Sequence, residues 1–233
     1  MARIVECVPN FSEGRSKEVV EQIRQAIGSV AGVRLLDLEM DADHNRCVIT
    51  FAGKPEGVEE AAFRGMQRAA QLIDMDGHRG EHPRLGATDV VPFVPISGVT
   101  MDECVHLARR LGERVGSELD IPVYLYEKAA TRPERVNLAD VRRGEYEVLK
   151  EEIATKPDRE PDFGPRRLGK AGATVIGARE PLIACNVYLS TDDLKVAQEI
   201  ARAVRHSSGG LRFVKALGLF IAGRGLVQVS MNL

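Results

Sequence analysis

The pattern of apolar residues alternates between strand-like and helix-like spacing along residues 4–94, and this alternation constrains the fold more than any other feature. Four runs are alternating or β-branched and apolar, as strands are, while two place apolar residues at helical spacing behind Ser12 or Ser16 and behind Pro55. The predicted strands are residues 4–9, 33–38, 47–52 and 89–94, and the predicted helices are residues 16–27 and 55–73. This order, β-α-β-β-α-β, predicts the ferredoxin-like split unit.

The remaining chain predicts an extension of this unit and the start of a second one. A helix (100–119), a strand (123–126) and a further helix (138–153) are followed at residues 155–172 by a stretch without periodicity, typical of a linker or a functional loop. A β-α-β-β series then follows, with strands at 182–189, 211–221 and 226–231 and a helix at 192–204 capped by Thr191 or Asp192.

We therefore predict an α/β (α+β) protein with two related subdomains of ferredoxin-like βαββαβ type. Each has a mixed sheet with helices on one face, and the second is incomplete. The predicted boundaries are 1–178 for the first subdomain and 179–233 for the second. Because the second series lacks its last α and β elements, we expect one face of its sheet to be uncovered and one edge unpaired.

Charge and composition exclude several classes of function. The formal net charge is −2 over 233 residues, so the chain lacks the basic surplus of a general nucleic-acid binder. It has no N-terminal apolar signal and no apolar run long enough to cross a bilayer, so we expect no membrane partner. The four cysteines are far apart and form no CxxC pair, which predicts buried, reduced thiols in a cytoplasmic protein.

Residues 78–93, HRGEHPRLGATDVVPF, carry the strongest indication of chemistry. Gly77 and Gly80 are poor helix formers, and Pro83 restricts His82 to extended backbone, so the segment is predicted to be an irregular loop. Reactive side chains are commonly displayed on such loops. An imidazole both accepts and donates protons near neutral pH, because its pKa is roughly 6.5. His82 is therefore a candidate proton shuttle, whereas His78 has less support and is interpreted as structural.

This loop and six further blocks resemble the formiminotransferase family, whose members act on N-formiminoglutamate and tetrahydrofolate. The blocks occur in order along the whole chain. They are VECVPNFSEG (5–14), GVTMDEC (98–104), PVYLY (122–126), GEYE (144–147), PDFGP (161–165) and QVSMNL (228–233). In the family the chain continues well beyond the last block, so the resemblance implies that the second subdomain is truncated here.

The resemblance also implies a reaction and a site. His82 matches the catalytic histidine of the family, tetrahydrofolate is the implied co-substrate, and folate is expected in the cleft between the subdomains. The implied folate-binding segment comprises Phe163, Gly164, Pro165, Arg166, Arg167, Leu168, Gly169, Lys170, Ala171 and Gly172. Supporting roles are predicted for Glu39, His44, Asn45, Arg46, Glu81 and Arg84. The arginines suit the carboxylates of both substrates, and a carboxylate such as Glu81 would orient the His82 ring. The partners are small molecules, and we expect a homodimer.

Three alternatives remain open from the sequence. The donor could carry a formyl rather than a formimino group, or the protein could bind folate without turnover. His78-Arg79-Gly80-Glu81-His82 also fits H-x-x-E-H, a zinc-protease motif that requires both histidines on one helical face. Because the glycines and the proline disfavour a helix here, we predict no metal.

Overall fold

A computed structural model describes residues 2–233, in two compact units. The first unit ends at Glu180, and the second comprises Pro181–Leu233. The strands are β1 (Ile4–Cys7), β2 (Asn10–Phe11), β3 (Val33–Asp41), β4 (Arg46–Gly53), β5 (Thr88–Ser97), β6 (Val123–Glu127), β7 (Thr174–Ala178), β8 (Ala184–Leu189), β9 (Lys215–Ile221) and β10 (Leu226–Asn232). The helices are α1 (Lys17–Gly28), α2 (Pro55–Leu72), α3 (Met101–Glu118), α4 (Leu138–Val141), α5 (Glu145–Glu152) and α6 (Leu194–Val204). The predicted α/β class is confirmed.

The first unit is built on a mixed seven-stranded sheet whose centre has the predicted ferredoxin-like topology. Strand β1 pairs antiparallel with both β4 and β5, and β3 pairs antiparallel with β4, which gives the order β3-β4-β1-β5. The short strand β2 continues in the position of β1, between the same two neighbours. Strands β7 and β6 extend the sheet in parallel beyond β5.

The two faces of this sheet are covered by different helices. Leu125 and Ile176 belong to the apolar core under α1, α2 and α3, while the adjacent Tyr124 and Val175 belong to a second core under α4 and α5. This alternation is the period of two that a strand imposes on its side chains. The predicted arrangement with helices on one face therefore describes α1–α3, and α4 and α5 cover part of the opposite face.

Local signals in the sequence explain where the helices begin. Ser16 caps α1 by accepting a hydrogen bond from the Val19 amide, and Thr100 forms a capping box with Glu103 at the start of α3. Pro55 occupies the first turn of α2, as predicted.

Three details of the predicted secondary structure are wrong. The helix expected at 138–153 is two short helices, because Gly144 lies between them at φ 82°, a backbone conformation outside the helix. Strand β7 was not predicted. Helix α6 is capped by Asp193, which accepts from the Lys195 amide, rather than by Thr191 or Asp192.

The second unit is a three-stranded antiparallel sheet of order β8-β10-β9, so the predicted β-α-β-β order is confirmed. Helix α6 packs closely on Gly218, where an added Cβ would lie 2.5 Å from the Gln198 amide nitrogen. The buried core of this unit consists of small and β-branched residues, Ala197, Ala201, Ala216, Val227 and Val229. Large apolar side chains remain exposed around it, including Ile183, Leu211 and Phe213.

Two expectations from composition concern surfaces and thiols. None of the helices within residues 2–233 is both long and apolar enough to cross a membrane. All four cysteines are free, and Cys7, Cys47 and Cys104 are buried as predicted. The prediction is wrong for Cys185, which is half-buried.

Candidate active site

The loop between α2 and β5 is not helical, as its glycines and proline predicted, and backbone contacts fix its last residues. The Ser12 hydroxyl donates to the Gly86 carbonyl at 2.8 Å, and the Ser12 amide donates to the Ala87 carbonyl at 3.0 Å. A Cβ at Gly86 would lie 2.2 Å from the Ala173 carbonyl oxygen, so only glycine fits this approach. The segment that carries His82 is therefore held in place on the strand that follows it.

His82 is half-buried in a positively charged environment, and its ring makes no hydrogen bond to any part of the chain within residues 2–233. Burial and the guanidinium groups of Arg142, Arg46 and Arg84, together with His44, lower the pKa of His82 to about 2. Burial and nearby cations both disfavour the charged imidazolium. The ring is therefore neutral and available as a proton acceptor.

Arg84 is buried and fully occupied by ion pairs. Its side chain is only 6% exposed, and it contacts Glu145 and Glu147 of α5 at 2.6 Å each. Burial alone would lower the pKa of Arg84, but the bonds to the two glutamates outweigh it and raise the pKa. The Tyr146 amide also donates to the Arg84 carbonyl at 3.0 Å. Helix α5 thus clamps the loop two residues beyond His82, and Arg84 has little capacity left for a substrate carboxylate.

Both ring nitrogens of His78 are engaged within the protein. Nε2 lies 3.0 Å from the Asn45 carbonyl, and Nδ1 accepts from Arg84 Nε at 3.2 Å. The carbonyl needs a donor, so the proton is on Nε2 and the ring is neutral; burial lowers its pKa. His78 is a structural residue, and neither nitrogen is free to coordinate a metal. No group of three or more His, Cys, Asp or Glu side chains suited to a metal occurs within residues 2–233.

The turn between β3 and β4 lies against the loop that carries His82, and its residues have different environments. Asn45 is buried at φ 47°, and its amide bridges the Gly14 amide at 3.1 Å and the Arg79 carbonyl at 2.9 Å. It therefore holds two loops together instead of facing a ligand. The His44 ring lies 3.0 Å from Asp41, and its charge acts on His82.

Arg46 is the residue of this turn best placed for binding. Its Nη1 lies 3.4 Å from the Asn10 side-chain oxygen, while its Nε is buried without a hydrogen-bond partner within residues 2–233. Burial lowers the pKa of Arg46, and Arg142 adds to this effect. The two guanidinium groups are therefore close enough to repel each other.

The two predicted carboxylates do not orient the His82 ring. Glu81 is exposed, and only its amide is bonded, to the Asp43 carbonyl at 3.3 Å. Glu39 is exposed on β3, opposite Val48, and acts on Arg46 only through its charge.

The end of the segment 163–172 makes backbone contacts with the loop that carries His82. The Ala171 carbonyl accepts from the Ala87 amide at 2.8 Å, and the Lys170 carbonyl accepts from the Met75 amide at 2.9 Å. Gly172, at φ 71°, bridges to Gly86. Lys170 itself is 81% exposed, and its Nζ lies 3.6 Å from the carboxylate of Asp74.

The first residues of the segment contact α3 and other parts of the first unit, so the predicted folate-binding residues fall into two groups. Phe163 and Gly164 pack against Gly112 and Gly116 of α3. Arg167 pairs with Asp120 at 2.5 Å. In the same part of the segment, Arg166 lies 3.8 Å from Glu160, Leu168 packs on both apolar cores, and Pro165 and Gly169 connect these contacts.

Comparisons with known proteins identify the family of this chain. A model described as the formiminotransferase domain, N-terminal subdomain, matches residues 4–179. The chain belongs to the formiminotransferase family. It is 55% identical to the glutamate formimidoyltransferase of Thermoplasma acidophilum, over 99% of this chain and 76% of the relative. It is 48% identical to that of Streptococcus pyogenes, over 100% and 78%.

A longer relative is the formimidoyltransferase-cyclodeaminase of Rattus norvegicus, which is 47% identical over 100% of this chain and 44% of its own length. Membership of the formiminotransferase family confirms the resemblance seen in the sequence.

Sequence reasoning missed the residue pair that completes the charged surroundings of His82. Asp89 is 1% exposed at the start of β5 and accepts from the Leu85 amide at 3.0 Å and from Arg142. Arg142 follows α4 and lies more than fifty residues away in sequence. The only available signal was the unusual position of a carboxylate at the start of an otherwise apolar strand.

Proposed function

We propose that this protein is a glutamate formimidoyltransferase that moves the formimino group of N-formiminoglutamate to tetrahydrofolate. The products are 5-formiminotetrahydrofolate and glutamate. The close relatives with this name support the proposal, since they match nearly the whole chain at 48–55% identity. The observation that carries the chemistry is a neutral, unbonded imidazole in a rigid loop, surrounded by guanidinium groups.

The reaction exchanges one nitrogen for another at the formimino carbon. A ring nitrogen of tetrahydrofolate attacks this carbon, and the carbon–nitrogen bond to glutamate then breaks. The attacking nitrogen loses one proton, and the departing nitrogen gains one, so no oxidant, reductant or metal is needed for the balance. A single base that accepts the first proton and returns it to the leaving nitrogen completes the reaction.

We assign this proton shuttle to His82. In the free protein the ring is neutral at physiological pH, because burial and cations lower its pKa to about 2. A base with so low a pKa is weak, since proton transfer is most efficient when the pKa lies near the working pH. The donor and the folate both carry carboxylates, and their arrival beside the guanidinium groups raises the pKa of His82 toward that range. The imidazole is thus neutral but weakly basic in the free protein, and the bound substrates make it a stronger base.

We also propose that the first unit is the catalytic one and that residues 163–172 contribute to folate binding. The support is that Lys170, Ala171 and Gly172 lie against the loop that carries His82, where the exposed Lys170 side chain has only the carboxylate of Asp74, at 3.6 Å, as an ion-pair partner within residues 2–233. Homodimerisation remains a prediction, which light scattering tests. The proposed location is the cytoplasm, where free thiols such as those of this chain remain reduced.

The decisive experiment replaces His82 with alanine and compares it with a matched control, His106→Ala. His106 is exposed on α3 and has no hydrogen bond within residues 2–233. We expect His82→Ala to lower kcat by about 10²–10⁴-fold, the usual contribution of a general base, while the affinity for tetrahydrofolate changes little. The His106 variant should match the wild type.

Two results would contradict this assignment or the activity itself. Turnover of His82→Ala within about threefold of wild type would remove His82 from the proton transfer. Each protein should also be assayed with N-formiminoglutamate and with N-formylglutamate as donors. Faster transfer from the formyl donor would replace the formimino reaction with its closest alternative, and binding of folate without transfer from either would indicate a non-catalytic folate-binding module.

A further inference from the structure

Two half-buried arginines near His82, Arg142 and Arg46, use only part of their hydrogen-bonding capacity. Asp89 holds Arg142 from one side, through Nε and Nη2, while Arg142 Nη1 makes no hydrogen bond within residues 2–233. The Arg142 side chain is only 13% exposed, so its position is fixed by its surroundings. A guanidinium group held in this way presents its remaining N–H groups in a defined direction.

Arg46 presents a second incomplete guanidinium group to the same place. The only hydrogen bond of its side chain within residues 2–233 is the one that Nη1 donates to Asn10 Oδ1 at 3.4 Å, and its buried Nε has no hydrogen-bond partner there. A buried donor without an acceptor is costly in free energy, and such a group commonly marks the site of a missing ligand or water. Asn10 on β2 pairs with Val90 on β5, the residue after Asp89. The partners of the two arginines, Asn10 for Arg46 and Asp89 for Arg142, therefore lie on neighbouring strands.

Few acceptors are bonded to these two arginines, although the charges of Asp41, Glu39 and Asp89 all act on Arg46. Asp89 is the only carboxylate bonded to either group within residues 2–233. By contrast, Arg84 in the same loop region is bonded to both Glu145 and Glu147. Guanidinium groups with free, directed N–H groups fit a carboxylate, which accepts two parallel bonds from such groups.

We propose that Arg142, braced by Asp89, and Arg46 form a subsite for the α-carboxylate of the glutamate donor. The inference rests on the proposed function and deepens it by naming the residues that position the donor. In N-formiminoglutamate the α-carboxylate is attached to the carbon that bears the reacting nitrogen. A carboxylate bound between these arginines therefore places the scissile carbon–nitrogen bond beside His82, on which both guanidinium groups act. The carboxylates of folate lie at the far end of that molecule from its reacting nitrogen.

The first experiment separates donor binding from folate binding. In Arg142→Lys, the positive charge beside buried Asp89 is kept, so the fold should persist, but the forked donor is lost. We expect the KM for the donor to rise about tenfold or more, while the KM for tetrahydrofolate changes less than threefold. Arg46→Lys should show the same selectivity. The control is Arg143→Gln, whose side chain is 75% exposed and pairs only with Asp140.

The second experiment uses donors in which the α-carboxylate is replaced by a carboxamide. The wild type should lose kcat/KM with this donor, whereas Arg142→Lys should lose less, because it keeps a positive charge but lacks the forked N–H groups that recognise a carboxylate. Direct binding of N-acetylglutamate and of its α-amide, measured by calorimetry, tests the same contact without turnover. The wild type should prefer the acid about tenfold or more, and Arg142→Lys, which keeps the charge but not the forked donor, should show a clearly smaller preference.

This subsite would be overturned if Arg142→Lys lost the same factor of kcat/KM with the acid donor as with the amide donor. It would also be overturned if the KM for tetrahydrofolate rose as much as the KM for the donor. A wild-type protein that binds N-acetylglutamate no better than its α-amide would overturn it as well. Failure of the proposed function is a different result, namely a wild type that transfers no group from any donor. In that case the calorimetric comparison still decides whether the two arginines recognise a glutamate α-carboxylate.

Discussion

Replacing Asp162 with alanine is expected to destabilise the first unit more than most single substitutions. Asp162 belongs to the PDFGP block, directly before the proposed folate segment. Its carboxylate accepts from the Leu125 amide at 2.7 Å, from Arg135 at 2.6 Å and from the Thr131 hydroxyl. The Asp162 side chain is 9% exposed and the Arg135 side chain 4%, so the ion pair is almost completely shielded from water.

The magnitude follows from what the substitution leaves behind. Removing one partner of a buried pair typically costs about 3–5 kcal/mol, because the other charge stays buried and uncompensated. Arg135 would retain only the Glu160 carbonyl and the ring of Tyr124, whose centroid lies 5.1 Å away. The lost bond of the Leu125 amide is part of the same loss and is not added to it. A loss of this size is a large fraction of a typical stability of about 5–15 kcal/mol.

Urea unfolding followed by circular dichroism measures the effect, and hydrogen exchange of the β6 amides assigns it to the first unit. The expected loss of 3–5 kcal/mol corresponds to about 6–20 °C in Tm, at roughly 2–4 °C per kcal/mol for a unit of this size. The matched control is Asp158→Ala, an exposed aspartate whose carboxylate makes no bond within residues 2–233. If Asp162→Ala cost less than about 1 kcal/mol, the buried pair would not anchor this segment.

Three further predictions concern pH, metal and the second unit. The pKa of His82 is lowered to about 2 in the folded protein, so below pH 6.5 the unfolded chain binds a proton that the folded protein does not, and stability should fall as pH falls. Between pH 7.5 and 5, the free energy of unfolding in urea should fall by about 2 kcal/mol more for wild type than for His82→Asn. Equal losses in the two proteins would contradict this. Turnover should survive exhaustive chelation, since both His78 nitrogens are engaged, and stoichiometric zinc lost together with activity would refute it. In a monomer, hydrogen exchange should show lower protection in residues 182–233 than in the first unit, because the core there is small and Phe213 is 74% exposed; uniform protection would refute this.

Helices and strands with a clear periodicity of apolar residues and a clear residue at their start were predictable from the sequence. Elements that lack these signals were not. Helix α2 has eighteen residues, beginning at Pro55, and the structure confirms the helix predicted there. Strand β7 was missed because its five residues are buried on both faces, so the alternation that identifies a strand is absent. The helix expected at 138–153 has the right apolar pattern but contains Gly144, whose positive φ ends one helix before the next begins.

The candidate site was predictable only where its residues are close in sequence. His82 lies in a short loop whose glycines and proline indicate its conformation without any tertiary information. The pairing of Asp89 with Arg142 depends on tertiary packing that brings the residue after α4 to the start of β5, and no local pattern records it. The same is true of Glu147, which contacts Arg84 from sixty-three positions away in sequence.

The arrangement of charges around His82 connects the stability of the loop with its chemistry. Arg84 is neutralised by α5, so it fixes the backbone beside His82 without drawing substrate. Arg46 and Arg142 remain incompletely paired, which makes the folded protein less stable than full pairing would, and they keep the imidazole neutral. A bound carboxylate removes both effects at once: it supplies the missing acceptors, and it raises the pKa of His82 toward the range where a general base is efficient. Binding and activation of the base are therefore one electrostatic event, and a substitution that neutralised either arginine would weaken carboxylate binding while raising the pKa of His82 in the free protein.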